Sequence, residues 1–423
     1  MREEQTQPLS SLVSLVSART SGIKNPALPY VGLEHIPGSG SLLNGVGAAY
    51  DSVSTNGVFQ AGDILFGKLR PRLRKSVRVN HPGYCSTDIL VLRPTPGADP
   101  AFSGYVAQSD EVFSAAIRTE EGTKMPRCSW RDISRVRVYC PRDKGAQARI
   151  AAILSSLDTA IEKTEALIEK HQQIKAGLLH ALFTRGMSPD GQFRPTVQIA
   201  PHLYRRTPLG FLPQEWRETT CASECSIDSG ITLGPHRRPD KNPFPYLRVG
   251  NVFRDDIRLA DVAYLEAFRG EEAMSLKVGD LLVVEGHASR AEIGRCAMAD
   301  ERCAGMLFQN HLFRLRAVGV SPSFALHWLN SRHTQAYWDR SCATSSGLNT
   351  INRKMLARVP IYAPYPPEQA RIGSAIEAAR AQEESASAIV EKLKSKRQGL
   401  MQALLTGRVA VPTSIAEPVT TNA

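Results

Sequence analysis

Residues 147–183 read QARIAAILSSLDTAIEKTEALIEKHQQIKAGLLHALF, and residues 369–405 repeat this stretch as QARIGSAIEAARAQEESASAIVEKLKSKRQGLMQALL. The copies align without a gap at an offset of 222 residues, from Gln147 to Gln369 (369 − 147). They share the opening Gln-Ala-Arg-Ile and a closing Ala-Leu. A repeat at this distance is not a solenoid. It indicates a duplicated module in which each copy is a globular region followed by a long helix.

Both copies carry a seam of apolar residues at alternating steps of three and four, with charged residues outside it. This pattern is typical of helices that pair as a coiled coil. The seam residues are Ile150, Leu154, Leu157, Ile161, Leu178 and Leu182 in the first copy and Ile372, Ile376, Leu400 and Leu404 in the second. The first helix is expected over about 147–184, before Gly186 and Pro189. The second has smaller residues in its seam and is expected to rely on a partner surface.

The rest of the chain divides around these helices. The expected segments are a globular region at 1–145, a helix at 146–186, a proline-rich linker at 187–213, a second globular region at 214–366, a helix at 367–408 and a disordered tail at 409–423. Short β-type runs between turn residues favour a mixed α/β fold for the globular regions. The regions also resemble each other, for example in Gly62-Asp63-Ile64-Leu65 and Gly279-Asp280-Leu281-Leu282. The fold class is therefore α+β, with a pseudo-twofold internal duplication.

The composition, 42% hydrophobic and 22% charged over 423 residues, is that of an ordinary globular chain. No apolar run approaches the roughly 20 residues that span a bilayer. The N-terminus begins with acidic residues and has no apolar core of a signal peptide. A cytoplasmic protein without a membrane partner is expected.

The net charge of +11 is concentrated in the globular regions. Residues 1–145 hold 18 basic and 13 acidic residues, and residues 187–366 hold 22 and 18. Such an excess is expected of regions that meet phosphates. A generic basic protein kept soluble by its charge explains the total equally well.

The densest basic segment is KLRPRLRKSVR at 68–78. On an extended strand, Arg70, Arg72 and Arg74 would point the same way and could contact phosphates or guanine edges. The alternative is a solvated basic edge that discourages strand-to-strand aggregation. The candidate DNA-binding residues are Lys68, Arg70, Arg72, Arg74 and Lys75 in the first region and Arg237, Arg238, Lys241, Arg248, Asn251 and Arg290 in the second.

No enzymatic motif stands out. The chain has no GxxxxGK[ST] phosphate loop, and Asn242-Pro243-Phe244 lacks the second proline of the DNA amino-methyltransferase motif. Cys221 and Cys225 with Cys296 and Cys303 could be arranged as a zinc site, but their spacing favours buried free thiols in a reducing cytosol. His287 and His311, near two glutamates in the sequence, make a weak case for a metal, and no catalytic residue is expected.

Several motifs occur in the order found in one known family. They are GDILFGKLRP (62–71), CSTDILVLRP (85–94), GTKMPR (122–127), PYLRVGNV (245–252), GDLLVVEG (279–286) and QNHLFRLR (309–316), together with the two helices. Over about 15–410 the chain resembles the specificity subunit of type I restriction–modification enzymes.

The resemblance implies that each globular region is a target recognition domain reading one half of a bipartite, asymmetric site in double-stranded DNA. The two helices would pair antiparallel, set the spacing between the half-sites and dock two modification (methyltransferase) subunits through the seam residues. A helix of about 37 residues is roughly 55 Å long, which is enough for such spacing. Restriction subunits with translocase and nuclease activity would join. S-adenosylmethionine, ATP and magnesium would belong to those partners, with no cofactor on this chain.

Two other classes of protein remain open from the residues alone. A coiled-coil scaffold that binds only proteins would carry its positive charge incidentally. A self-contained methyltransferase or nuclease would show turnover by the purified chain.

Overall fold

The structure is a computed structural model, and it describes residues 5–21, 25–38, 42–48, 55–345 and 348–411. The chain divides into two compact units: the first is Met1–Ile168 with Ser385–Ala423, and the second is Glu169–Glu384. Each unit thus combines one globular region with part of each long helix. The sequence had predicted the helices as segments separate from the globular regions. Within the described ranges no helix is long and apolar enough to cross a membrane. Most of the expected disordered tail, from residue 412, lies outside the described residues.

The first unit is built on two β-sheets covered by helices. Its elements are β1 Thr6–Pro8, β2 Val13–Val16, β3 Arg19–Ser21, β4 Pro29–Val31, β5 Gly47–Ala48, β6 Thr55–Phe59, β7 Ile64–Gly67, β8 Ser76–Arg78, β9 Gly83–Cys85, β10 Ile89–Pro94, α1 Pro100–Ala107, α2 Asp110–Arg118, α3 Trp130–Ile133, β11 Arg137–Tyr139 and the start of α4 Lys144–Thr184. One sheet is antiparallel with the order β2-β10-β7-β8, and the other has the order β3-β6-β9-β4-β5. In the second of these only β4 and β9 run parallel.

The second unit repeats this plan with additional strands. Its elements are β12 Tyr204–Thr207, β13 Gly210–Pro213, β14 Arg217–Thr220, α5 Cys221–Glu224, β15 Cys225–Ser229, β16 Pro243–Leu247, β17 Val252–Phe253, β18 Asp256–Ile257, β19 Ala263–Glu266, β20 Leu281–Val284, β21 Gly286–His287, β22 Cys296–Met298, β23 Leu307–Phe308, β24 Leu312–Ala317, α6 Pro322–Leu329, α7 Arg332–Ser341, β25 Ala343–Ser345, β26 Leu348–Thr350, α8 Arg353–Ala357, β27 Pro360–Ala363 and the start of α9 Pro366–Leu405.

The duplication extends from the helices into the sheets. The sheet β15-β24-β20-β22 has the same order as β2-β10-β7-β8, and the parallel pair β16–β23 corresponds to β4–β9. The antiparallel pair β14–β27 corresponds to β1–β11. The repeat seen in the sequence therefore predicts two copies of one α/β fold correctly.

The long helices α4 and α9 pack together antiparallel within each unit. In the first unit Asp158 on α4 bonds to Arg397 on α9, and Glu165 lies 2.9 Å from the Nζ of Lys394. In the second unit Lys175 lies 3.1 Å from Glu383. Partner numbers on α9 fall as numbers on α4 rise, which defines an antiparallel pair. This confirms the predicted helix pairing.

The helix α4 begins three residues earlier than the repeat alone indicates. The carboxylate of Asp143 accepts hydrogen bonds from the backbone amides of Gly145 (2.9 Å) and Ala146 (3.0 Å), as an N-cap residue does. These bonds also lower the pKa of Asp143. The helix therefore starts at Lys144 rather than at Gln147.

The seam residues face the interior of their own unit, which corrects their assignment as the docking surface for other subunits. Eight of them are buried: Ile150, Leu154, Leu157, Ile161, Leu182, Ile372, Ile376 and Leu404. Leu178 and Leu400 are half-buried against the same cores. The seam predicts burial correctly, but this burial is within the chain. A partner chain would have to contact other residues of the helices.

The stretch expected as a linker, 187–213, is largely structured. It contains the hairpin of β12 and β13, whose Tyr204 and Leu212 are buried. The buried guanidinium of Arg194 donates to both oxygens of Glu368, at 2.5 and 2.9 Å. Glu368 also accepts from the backbone amide of Met187 (2.8 Å). The segment is thereby tied to the start of α9.

The cysteines are free, and those other than the half-buried Cys342 are buried, in agreement with the expected free thiols. Burial raises the pKa of Cys85 to about 12, so this thiol stays protonated at neutral pH. Within the described residues no group of three or more His, Cys, Asp or Glu side chains could hold a metal ion. His311 instead pairs with Glu285 at 2.6 Å, and His287 Nδ1 accepts from the amide of Ser289.

Candidate nucleic-acid interface

The basic segment that follows β7 is a folded loop, not an extended strand. Arg70 and Arg74 both have left-handed backbones, with φ of 50° and 52°, and Pro71–Leu73 between them form a 3-10 turn. Proline favours the first position of such a turn because its φ is already fixed. The expectation that Arg70, Arg72 and Arg74 share one face of a strand is therefore wrong. The alternation of arginine with apolar residues is a pattern typical of a strand, but Pro71 places this segment in a turn.

The backbone of this loop is held from both sides. The amide of Arg70 donates to the carbonyl of Pro126 (2.7 Å), and the carbonyl of Lys68 accepts from the amide of Cys128 (3.0 Å). Arg127, in the supporting segment, bonds to both carboxylate oxygens of Asp88, at 2.8 and 3.3 Å. The loop conformation is therefore fixed by residues distant in sequence.

Three of the five candidate cations in this loop form hydrogen bonds with groups of their own unit. Arg72 donates to Glu120 (2.9 Å), and this bond raises the pKa of Arg72. Arg74 bonds to Asp110 (2.5 Å) and its guanidinium lies 5.0 Å from the ring centre of Phe113. Lys75 donates to the carbonyl of Leu33 (2.5 Å). These contacts hold the loop against α2 and its neighbours.

Arg70 and Lys68 differ from the other three. Among the described residues, neither side chain has a hydrogen bond or an ion pair. Lys68 is half-buried beside the thiol of Cys128. Arg70 is exposed at the start of the turn. Arg70 is thus the loop guanidinium best placed to meet an anion or a base from outside the chain.

The basic candidates of the second unit also divide into residues that are paired within the unit and residues without a partner among the described residues. Arg237 bonds to both oxygens of Glu271, each at 2.7 Å, and lies 4.5 Å from the ring centre of Phe268. The bond with Arg237 lowers the pKa of Glu271, so this pair persists at neutral pH. Arg238 and Lys241 are exposed, and their side chains have no bonded partner among the described residues.

The loop that carries Arg238 and Lys241 is fixed by one carboxylate. Glu266 accepts from the backbone amides of Asp240 (2.8 Å), Lys241 (3.0 Å) and Asn242 (2.8 Å). Three amide donors converging on one carboxylate hold the loop backbone in place. The exposed cations therefore stand on a rigid loop here, as Arg70 does in the first unit.

The remaining candidates of the second unit have internal roles. Asn251 is buried; its Oδ1 accepts from the amide of Arg248 (2.8 Å), and its Nδ2 donates to two carbonyls. Asn251 therefore caps a turn, which corrects its assignment as a DNA contact. Arg248 pairs with Asp261 (2.7 Å), and Arg290 donates to the carbonyl of Asp339 (2.6 Å).

Both units contain the same ion pair at the start of corresponding strands, β7 and β20, with a buried aspartate and a partly exposed arginine. Asp63 binds Arg93 through two bonds of 2.7 and 2.8 Å, and Asp280 binds Arg316 through two bonds of 2.7 Å. Each aspartate is preceded by a glycine with positive φ, 93° at Gly62 and 89° at Gly279. The repeated Gly-Asp motif was visible in the sequence, but its arginine partners were not assigned from it.

The repeated glutamine of the helices is a second shared support. Gln147 Oε1 accepts from the amide of Asp99 (2.9 Å) and its Nε2 donates to the carbonyl of Pro141 (2.8 Å). Gln369 makes the same two bonds, from the amide of Ser321 (2.8 Å) and to the carbonyl of Pro364 (2.9 Å). Asp99 and Ser321 are the N-cap residues of α1 and α6. In each unit the glutamine joins a long helix to the helical layer of the globular region.

The chain was compared with known proteins. A scan against protein-family models finds no match. A solved structure from work on the complex assembly and conformational transition of the type I restriction–modification system is similar over 96% of this chain and 98% of its own, with 20% identity and a TM-score of 0.58. The type I restriction–modification system S subunit from M. genitalium is similar over 95% of each chain, with 15% identity and a TM-score of 0.54.

These likenesses define the fold. The chain has the two-domain, two-helix fold of the type I S subunit along nearly its whole length. The resemblance drawn from the sequence motifs is thereby confirmed as a resemblance of fold.

Proposed function

We propose that this chain is the non-catalytic DNA-recognition subunit of a type I restriction–modification complex. Each globular region would be a target recognition domain for one half of a bipartite, asymmetric DNA site. The fold of the S subunit supports this proposal. The basic excess of both globular regions supports a polyanionic partner.

One observation carries the proposal: the two units share a scaffold but not the loops that leave it. The strands β7 and β20 occupy the same place in corresponding sheets, and each begins beside the same Asp–Arg pair. β7 is followed by the basic loop, whereas β20 is followed by β21, which belongs to a further sheet of order β21-β26-β25. A constant frame with different loops suits a protein that reads two different sequences of one kind of polymer.

The helices would serve assembly and spacing. We propose that two modification subunits dock on α4 and α9, that restriction subunits join them, and that the helices set the distance between half-sites. Because the seam is buried, docking would use exposed apolar side chains: Leu167 and Ile389 in the first unit and Ile174 in the second are 45%, 50% and 54% exposed. S-adenosylmethionine, ATP and magnesium would be bound by those partners.

The test is to coexpress the chain with a modification subunit and to sequence the methylated members of a randomised DNA library. A consensus of two dissimilar half-sites with a fixed spacer is expected. Methylation without such a consensus would refute the proposal. If the chain is instead a scaffold for proteins, any DNA binding due to its positive charge will have the same affinity for every sequence. Methylation or cleavage by the chain alone would instead reveal an enzyme.

A further inference from the structure

We infer that Arg238 is a specificity-determining residue, which reads the edge of a guanine in the half-site bound by the second unit. The inference rests on the proposed function and names the residue and the kind of base contact. It concerns a segment that is present in only one copy of the duplicated chain.

The segment is an insertion in the second copy. The first copy reads SGIKNP at 21–26, whereas in the second copy TLGPHRRPD at 232–240 separates SGI from KNP. Arg238 therefore has no counterpart in the first copy, and it lies outside the motifs that carry the resemblance to the specificity subunits. Contacts with phosphates carry no sequence information, and only the bases differ between two half-sites. A cation that one unit alone possesses is thus suited to a base.

The two arginines of the insertion have different environments. Arg237 donates to both carboxylate oxygens of Glu271, each at 2.7 Å, and its side chain is only 11% exposed. The preceding His236 stacks on Phe268, with 6.1 Å between the ring centroids. Arg238 is exposed, and among the described residues its side chain has no hydrogen bond or ion pair. Arg237 therefore anchors the insertion, and the five N–H donors of Arg238 are available without the loss of an internal bond.

The backbone on both sides of Arg238 is constrained. Before it, Pro235–Arg237 form a 3-10 turn in which the amide of Arg237 donates to the carbonyl of Gly234 (3.0 Å). After it, Pro239 restricts Arg238 to extended backbone, and its φ and ψ are −62° and 125°. A base edge requires such fixed geometry, whereas a phosphate can be met by a loosely held side chain.

The ends of the insertion are fixed as well. At one end the amide of the buried Ile231 donates to the carbonyl of Phe308 (2.8 Å). At the other end the carboxylate of Glu266 accepts from the amide of Asp240 (2.8 Å). The insertion therefore presents Arg238 from a rigid frame.

The chemistry of arginine indicates guanine. A guanidinium can donate two parallel bonds to O6 and N7 of guanine in the major groove, which is the commonest specific contact of proteins with DNA. The exposed Lys241 just beyond the insertion carries a single ammonium group and is repeated as Lys24 in the first copy. Lys241 therefore suits a phosphate, which both half-sites offer, and it provides a matched control.

The experiment compares four complexes with the modification subunit on the same randomised library: wild type, Arg238→Ala, Arg238→Lys and Lys241→Ala. Arg238→Ala is expected to relax the preference at one base pair of one half-site by roughly 5- to 150-fold, the loss of one bidentate contact. The other half-site should be unchanged. Arg238→Lys should relax the same base pair, since it keeps the charge but lacks the fork. Lys241→Ala should weaken methylation uniformly and leave the consensus intact.

Three results would overturn the inference. An unchanged consensus in both Arg238 variants, with or without weaker methylation, would leave Arg238 as a phosphate contact at most. Full retention of the preference in Arg238→Lys would show that charge alone suffices. Relaxation of the same base pair by Lys241→Ala would show that any loss of charge nearby has this effect. Should Arg238→Ala not fold, as judged by its urea unfolding midpoint, Arg238→Lys decides alone. Failure of the proposed function is distinct, because the wild-type complex would then show no two-part consensus.

Discussion

The strands β7 and β20 begin alike and end differently. Each starts after a Gly-Asp pair whose carboxylate accepts hydrogen bonds from an arginine on the neighbouring strand, Arg93 on β10 or Arg316 on β24. Beyond β7 the chain forms a tight basic loop, and beyond β20 it enters another sheet. The frame and the loops therefore obey different constraints. Packing fixes the frame in both units, whereas the loops depend on partners present in one unit only.

The same contrast holds for buried ion pairs beside the long helices. In the first unit Arg397 bonds to the buried carboxylate of Asp158, which also accepts from the hydroxyl of Tyr105 (2.7 Å). In the second unit the buried pair is Arg194 with Glu368, at another position. The glutamines at 147 and 369 are equivalent, but these pairs are not. Mutations can therefore distinguish the contacts that both units share from the ion pairs that occur in one unit only.

The largest expected change is in the DNA site itself. Four helix-forming residues inserted after Glu165 add about 6 Å to α4 and little more than one turn. The spacer between half-sites should change by about one or two base pairs, since each base pair is about 3.4 Å, while both half-site sequences remain. Methylation of the randomised library measures this. A change in the half-site sequences would contradict a role of the helices in spacing.

The shared ion pair should matter equally in both units. Asp63→Ala and Asp280→Ala are each expected to lower the free energy of unfolding by about 2–3 kcal/mol, because each leaves a partly exposed arginine without its buried carboxylate partner. The loss is below that of a fully enclosed pair because the side chains of Arg93 and Arg316 are 41% and 35% exposed. Urea unfolding checks the values. A large effect at only one of the two positions would break the comparison.

The shared glutamine should show a smaller, matched effect. Gln147→Ala and Gln369→Ala each leave a partly buried backbone amide and a buried carbonyl without their partner, which costs about 1–2 kcal/mol. Hydrogen exchange of peptides from each unit would locate the destabilisation. It is expected in the first unit for Gln147→Ala and in the second for Gln369→Ala. The neighbouring exposed Ala148 and Ala370, changed to Ser, serve as matched controls.

The smallest expected effect is a pH dependence of the second unit. Burial lowers the pKa of His327 and His333 from their ordinary value near 6.5, and the nearby Asp255 and Glu377 only partly offset this for His327. The unfolded chain therefore binds more protons than the folded one below about pH 6.5, and stability falls as the pH drops through that range. His333→Gln should flatten this dependence in urea unfolding between pH 7.5 and 5.5. An identical slope in the variant would contradict the assignment.

The repeat and its heptad seam predict the helices, their pairing and the burial of the seam, because all three follow from local periodicity. The antiparallel direction of the pairing was implied by the resemblance to the family. The conformation of 68–75 could not be predicted in the same way. Its shape depends on Pro71, and its ion pairs join Arg72 and Arg74 to acidic residues 36 or 48 positions away. Nor could the sequence show which face of α4 and α9 is covered by the chain itself. Asn251 was expected to be an exposed DNA contact, and its burial as a turn cap could not be predicted from the sequence either.

The most direct test is a chain in which residues 216–365 replace residues 1–142, so that both helices follow the same recognition domain. Its complex with the modification subunit would be applied to the randomised DNA library. If the frame is interchangeable and the loops specify the sequence, the methylated sites will contain the second half-site twice, as an inverted repeat. Retention of the original asymmetric consensus by this folded variant would contradict the account.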